Sequence, residues 1–128
     1  KNKSYESKLL LISTAGSWIF NYLLKQIFQR TRPLEYFLVE QGGYSYPSGH
    51  TMVATTFYFT VAYILTRKTK DKKKKTSFYI MATIAILVMG FSRVYLGVHW
   101  PTDIIGGFTM GYIFYNLSVT FTEYYRGT

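Results

Sequence analysis

The chain holds no cysteine, only two histidines and only six acidic residues in a length of 128. The missing cysteine excludes a disulfide framework and any thiolate site. No signal-peptide pattern opens the chain, because Lys1 to Lys8 is polar and no small-residue cleavage site follows. Nor is there an initiator methionine, so the sequence reads as a fragment or a processed form, with further helices expected ahead of Lys1. By length it is a single domain, residues 1–128.

Charge is also missing, and its absence is patterned. Sixteen uncharged residues separate Lys8 from Lys25, and sixteen separate His50 from Arg67. Seventeen lie between Lys75 and Arg93, and nineteen between Asp103 and Glu123. A bilayer core about 30 Å thick needs ~20 apolar residues, with ~17 the usual lower limit, so three of these runs are short or marginal. The competing reading is a soluble bundle of four buried helices, and the low mean hydropathy leans that way. Two features oppose it. The stretch "FYIMATIAILVMGF" (78–91) is apolar all round rather than striped, which marks a helix without a wet face. Lys8, Lys25 and Arg67, with Tyr and Trp near the ends, can also snorkel and extend a short span to both interfaces. The expected fold is all-α: an integral-membrane bundle with four transmembrane helices near 9–24, 51–66, 76–91 and 104–122.

What charge there is has a direction. "RKTKDKKKK", Arg67 to Lys75, carries seven positive charges and one negative. A nucleic-acid patch would need a soluble reading region, and none is visible. A lysine-rich loop between two membrane helices belongs on the cytoplasmic side, close to anionic headgroups. Parity then puts the loops from Lys25 to His50 and from Ser92 to Asp103 together on the outer side. The net charge of +9 is orientation rather than function.

All three polar clusters lie on those two outer loops. The first is "KQIFQRTRP", Lys25 to Pro33. If the first helix runs on past Lys25, Lys25 and Arg32 share a face two turns apart, about 10 Å along the axis. Pro33 disfavours helix at Arg32 and should end it near there. The plainer alternative makes both of them interface anchors, and Arg30 is read as an anchor in any case.

The second cluster is "YPSGH", Tyr46 to His50. Ser48 is a good N-cap, and Gly49 lets the backbone approach a ligand closely. Amides at a helix start form an anion site. His50 in the first turn would be poorly placed as an imidazolium unless an anion offsets it.

The third is "SRVYLGVHWPTD", Ser92 to Asp103. Arg93 offers a planar fork for phosphate oxygens. His99 and Asp103 are four apart, and Pro101 places the helix start just before Asp103. A carboxylate there can accept from one imidazole nitrogen and leave the other as base or nucleophile. The bland alternative is a helix N-terminal acid beside a lone interface histidine. Together the clusters gather three cations, two histidines, a helix N-terminus and one carboxylate, a set suited to phosphoryl transfer. A divalent metal is disfavoured, since Asp103 is the only acid in the three clusters and the cations would repel it. These residues alone leave open which histidine attacks.

The three motifs, K-x6-RP at Lys25 to Pro33, PSGH at Pro47 to His50 and SR-x5-H-x3-D at Ser92 to Asp103, resemble the signature of the type 2 phosphatidic acid phosphatase superfamily of membrane lipid phosphatases. Every spacing matches. The resemblance implies His99 as a nucleophile forming a phosphohistidine, Asp103 as its relay partner and His50 as the acid for the leaving group. It implies Lys25, Arg32 and Arg93, with Ser48 and the amide of Gly49, as the phosphate cradle, and no metal or other cofactor. Bacterial members commonly have six membrane helices, of which this chain shows the last four.

The substrate so implied is a polyprenyl diphosphate such as undecaprenyl diphosphate, or phosphatidylglycerophosphate, met at the outer face of a plasma membrane. Its partners are then the bilayer and that lipid, with no nucleic acid. The alternatives are a soluble phosphate ester at the same site, or a membrane protein that binds anionic lipid without turnover.

Overall fold

The computed structural model describes residues 2–34, 38 and 42–126. Four helices follow in chain order: α1 (Asn2–Phe28), α2 (Gly49–Thr66), α3 (Lys72–Tyr95) and α4 (Pro101–Arg126). The all-helical expectation holds, and each helix overruns its uncharged run.

The overruns have local causes. Ser48 caps α2 by accepting from the Thr51 amide, so Gly49 and His50 join the first turn. Asp71 caps α3 by accepting from the amides of Lys73 and Lys74, which draws Lys72 to Lys75 into the helix. The cytoplasmic loop expected over Arg67 to Lys75 therefore shrinks to residues 67–71. At its other end α3 continues to Tyr95. Ser92 and Arg93 are accordingly helical rather than part of a loop.

The first helix departs most from expectation. It passes Lys25 but ends at Phe28, because Gln29 adopts a left-handed φ of 50°. Lys25 and Arg32 thus do not share a helical face. The chain turns at Gln29, and residues 30–34 continue as irregular backbone.

α2 is the central helix. It packs on α1, α3 and α4; α1 also meets α4, α3 touches α4 more lightly, and α1 and α3 do not meet. The bundle interior is rich in hydroxyls. Ser13, Ser17 and Asn21 recur every fourth residue along the buried face of α1, and Thr51, Thr55, Thr56 and Thr60 are buried in α2. Thr56 donates to Ser17 at 2.9 Å and Thr60 to Ser13 at 3.2 Å. Several of these threonines also bond their own i−4 carbonyls, as Thr55 does to Thr51 at 2.7 Å. Small residues and hydroxyls are what hold helices together when the surroundings are as apolar as the side chains.

The exterior is correspondingly apolar. α3 and α4 are long and apolar enough to cross a membrane, and only 17% and 28% of their apolar windows are buried. A soluble bundle would bury that surface, so the soluble alternative fails on these two helices. At about 1.5 Å per residue they exceed the ~30 Å of a bilayer core.

α2 and α4 approach most closely at two glycines. A Cβ on Gly107 would lie 2.8 Å from the Ser48 carbonyl oxygen, and one on Gly111 would lie 2.6 Å from that of Met52. Both obstacles are backbone and cannot step aside. Gly111→Ala should therefore destabilise the protein by about 1–3 kcal/mol, seen as a lowered unfolding temperature in detergent. Gly42→Ala, with nothing within 4 Å among the described residues, should leave that temperature where it is. Equal midpoints for the two variants would contradict the tight contact.

Candidate active site

Both C-terminal ends of α1 and α3 and both N-terminal ends of α2 and α4 lie at one end of the bundle, as the up-and-down order requires. Each cluster read from the sequence sits there. Lys25, Arg32, Gly49, His50 and His99 line a single cavity of about 530 Å³, a size ordinary for a small-molecule site. Thus the Lys25–Arg32 pair does converge, through the turn at Gln29 rather than through helical periodicity.

His99 is held from both sides. Its Nδ1 lies 3.3 Å from Asp103 Oδ2, and its Nε2 lies 3.1 Å from Arg32 Nη1. An arginine can only donate, so Nε2 carries the lone pair and Nδ1 the hydrogen, which it gives to the carboxylate. His99 is buried. Burial pushes its pKa below the ordinary imidazole value; the Asp103 bond opposes this, and the charges of Arg32 and Lys25 add to the depression, leaving it lowered. The ring is neutral at pH 7, with the Nε2 lone pair turned toward the cations.

Asp103 is fully buried and does not face the cavity. Its Oδ2 also accepts from the Trp100 amide at 2.8 Å and from the Ser45 hydroxyl, while Oδ1 accepts from Arg30 Nη1 at 2.9 Å. Arg30 was expected to be a plain interface anchor. That reading is corrected: it forms an ion pair with the one acid of the three clusters.

The start of α2 is fitted against α4. The Ser48 amide donates to the Asp103 carbonyl at 3.0 Å, and the Ser48 hydroxyl bonds Thr51. Ser48 is therefore spent on the cap and on α4. The amides of Gly49 and His50 are first-turn donors without an intrahelical acceptor. Lys25 Nζ donates to the Tyr44 carbonyl at 3.0 Å. Arg32 donates to the carbonyls of Gly43 and Val98 at 3.2 and 3.0 Å. An anionic oxygen would compete well for both cations, because charge-assisted bonds are the stronger kind. Arg93 does not line the cavity; it stands in the last turn of α3, near enough to His50 for their charges to interact.

Two residues were missed by sequence reasoning. Asn21 lines the cavity and donates to the Pro47 carbonyl at 3.1 Å, steadying the turn before α2. Ser45 is buried and bonds Asp103. The fourfold spacing of Ser13, Ser17, Asn21 and Lys25 was the available signal for Asn21; nothing in the sequence pointed to Ser45.

Away from its polar end the cavity is apolar, walled by Trp18, Val53, Phe57, Tyr58 and Met89. It lies over α2 in the gap between α1 and α3, the two helices that do not meet.

The histidine assignment has a direct check. With only two imidazoles in the chain, nitrogen NMR should show one of them as the Nδ1–H tautomer, titrating below the ordinary histidine range. His99→Gln should remove that signal. A ring already protonated at neutral pH would refute the arrangement.

The PAP2 superfamily matches residues 7–126. A phosphatidylglycerophosphatase B of Bacillus subtilis (strain 168) is 39% identical over 123 residues, covering 94% of this chain and 60% of that protein. An undecaprenyl-diphosphatase of Sulfolobus acidocaldarius is 32% identical over 108 residues, covering 80% of this chain and 48% of that protein. Among solved structures, a transmembrane PAP2 type phosphatidylglycerolphosphate phosphatase from Bacillus subtilis is similar with a TM-score of 0.82 and 38% identity, over 90% of this chain and 58% of that one. The chain thus spans less than two thirds of the length of each of these relatives. On the extent of the match, from before α1's midpoint to the end of α4, the chain belongs to the PAP2 superfamily.

Proposed function

We propose that the protein is an integral-membrane lipid phosphatase that works without metal through a phosphohistidine. Its substrate is a polyprenyl diphosphate such as undecaprenyl diphosphate, or phosphatidylglycerophosphate, or both. The observation that carries this reading is His99, neutral, with Nδ1–H on Asp103 and its Nε2 lone pair among cations.

The residues take these roles. Lys25, Arg32 and the amides of Gly49 and His50 hold the phosphoryl oxygens, with Arg93 adding charge at the rim. His99 Nε2 attacks phosphorus, and the bond from phosphorus to the leaving oxygen breaks. His50 protonates that oxygen as it departs. A water activated by His50 then attacks the phosphohistidine, which releases phosphate and regenerates the Nε2 lone pair. Asp103 keeps the Nδ1 proton and favours the positive charge that the ring gains on attack. Acid catalysis by His50 should contribute roughly 10²–10⁴ in rate.

Charge supports the metal-free reading. The cavity faces a ligand with Lys25, Arg32 and two imidazoles, while the Asp103 carboxylate, the one nearby among the described residues, is turned away and occupied. Phosphoryl transfer needs positive charge where the oxygens sit, and here side chains and amides supply it. The apolar wall of Trp18, Val53, Phe57 and Met89 suits a hydrocarbon chain continuing from the phosphate. All four helices cross the plasma membrane in this reading, with Arg67 to Lys75 inside and the cavity outside.

The test is phosphate release in detergent from undecaprenyl diphosphate and from phosphatidylglycerophosphate, with EDTA present. Wild-type protein should release phosphate, His99→Ala should release none, and His50→Ala should be slowed by about 10²-fold or more. Loss of release on adding EDTA would overturn the metal-free mechanism. Release that persists in His99→Ala would overturn the phosphohistidine. The ratio of the two rates ranks the lipids.

The pH profile gives a second test. Protonating His99 removes its lone pair, so activity falls as pH drops through its pKa, which is lowered. The acid limb of kcat/KM should therefore lie below the ordinary imidazole range. An acid limb above that range would rule out His99 as the buried neutral nucleophile.

A further inference from the structure

Arg30 sits between the two cations of the first motif, yet it points elsewhere. It lines a different cavity, on the other side of Asp103, with Tyr46, Thr102 and Ile105. Its Nη1 donates to Thr102 Oγ1 at 2.6 Å and to Asp103 Oδ1 at 2.9 Å, and its guanidinium lies 4.9 Å from the centre of the Tyr46 ring. It is 41% exposed, whereas Asp103 at the other end of the pair is 0% exposed. The Asp103 carboxylate is thus divided. Oδ1 belongs to Arg30, and Oδ2 belongs to His99, Ser45 and the Trp100 amide.

We propose that Arg30 is a positioning residue that acts on His99 through Asp103 and never touches substrate. It does two things. Fixing Oδ1 prevents the carboxylate from rotating, so Oδ2 keeps facing Nδ1–H. Its charge also offsets part of the carboxylate's charge, which limits how strongly Asp103 pulls a second proton onto His99. Without that offset a buried carboxylate beside an imidazole favours imidazolium, which has no lone pair for attack. The ring must be neutral before attack and positive after it, so the partner's charge has an intermediate optimum. Among the described residues, the other charged or titratable groups around His99 are Lys25 at the end of α1, Arg32 in the following loop and His50 on α2, with Asp103 from α4; Arg93 on α3 faces His50. Of these, Asp103 is the group that Arg30 contacts directly.

The inference rests on the phosphatase reading above, and the experiment separates the two. Phosphate release is measured against pH for wild type, Arg30→Gln and Arg30→Lys, with His99→Ala as the control for the reading itself. Arg30→Gln should lower kcat by on the order of 10- to 100-fold, the scale of a misaligned reacting group, with KM little changed. Its acid limb should move up by about one pH unit, as an uncompensated carboxylate requires. Arg30→Lys restores the charge and one bond, so its acid limb should return to the wild-type position.

An acid limb that stays in place in Arg30→Gln would overturn the proposal and leave Arg30 a structural tie. A raised KM with unchanged kcat would overturn it too, because Arg30 would then be binding substrate. The same shift is readable without any substrate, as the pH titration of the His99 ring by nitrogen NMR in wild type and Arg30→Gln. If that titration is the same in both proteins, the proposal fails even when neither lipid is the true substrate.

Discussion

The backbone of α2 is pressed against the backbone of α4, and the arrangement of the site depends on that contact. Gly107 and Gly111 allow it, because a Cβ at either position would run into the carbonyls of Ser48 or Met52. The same contact lets the Ser48 amide reach the Asp103 carbonyl. Two motifs more than fifty residues apart in sequence are thereby fixed to one another before any substrate contact is considered. The hydroxyls of Thr56 and Thr60 do the equivalent work between α2 and α1. In a lipid environment the hydrophobic effect gives little reason for one apolar helix to prefer another over lipid. Close approach and buried hydrogen bonds must supply the specificity instead, and they are what the interior contains.

That interior also explains how a site of this charge can exist. Lys25, Arg32, Arg93 and two histidines crowd one end of the bundle, with Asp103 as the one acid of the motifs. Several side chains compensate by turning to backbone: Lys25 to the Tyr44 carbonyl, Arg32 to those of Gly43 and Val98. These carbonyls are neutral dipoles, so each bond is weaker than one to an anionic oxygen. The cations are held in place without being neutralised. A phosphoryl group would then meet donors already oriented, and electrostatic stabilisation is most effective when nothing has to rearrange at the moment of reaction.

Much of this was legible in the sequence. Four uncharged runs gave four helices, and Ser48, Pro101 and the apolar stretch 78–91 marked elements that the structure contains. The cavity-lining residues Lys25, Arg32, Gly49, His50 and His99 were legible because the chain has only two histidines and the other three stand in short polar clusters between uncharged runs. The failures share a cause. The end of α1 depends on Gln29 adopting a left-handed conformation, which a glutamine does not announce. Once that turn is made, Arg30 bonds Asp103 and Arg32 bonds His99, at opposite ends of that pair, a split that helical spacing could not reveal. Ser45 reaches the carboxylate from an irregular segment, where sequence offers no period to read. Arg93, read as a cradle residue, stands in the last turn of α3 outside the cavity lining, near enough to His50 for their charges to interact.

The shape of the cavity adds a constraint that the motifs do not contain. Because α1 and α3 do not meet, the wall over α2 is incomplete along the length of the apolar stretch, from the polar end past Val53 to Phe57. A site for a small soluble ester would gain nothing from such a slot, since burying apolar surface there leaves the slot itself to be filled. In the proposed reading, a phosphate attached to a hydrocarbon chain would fill both parts at once, its head among Lys25, Arg32 and His99 and its chain against Trp18 and Met89. The apolar exterior of the helices means that the slot opens onto surface of the same character. The chain of such a substrate would leave one apolar environment for another, at little desolvation cost. Selection among lipids would then fall mainly on the head, where a diphosphate and a monophosphate differ in charge and reach.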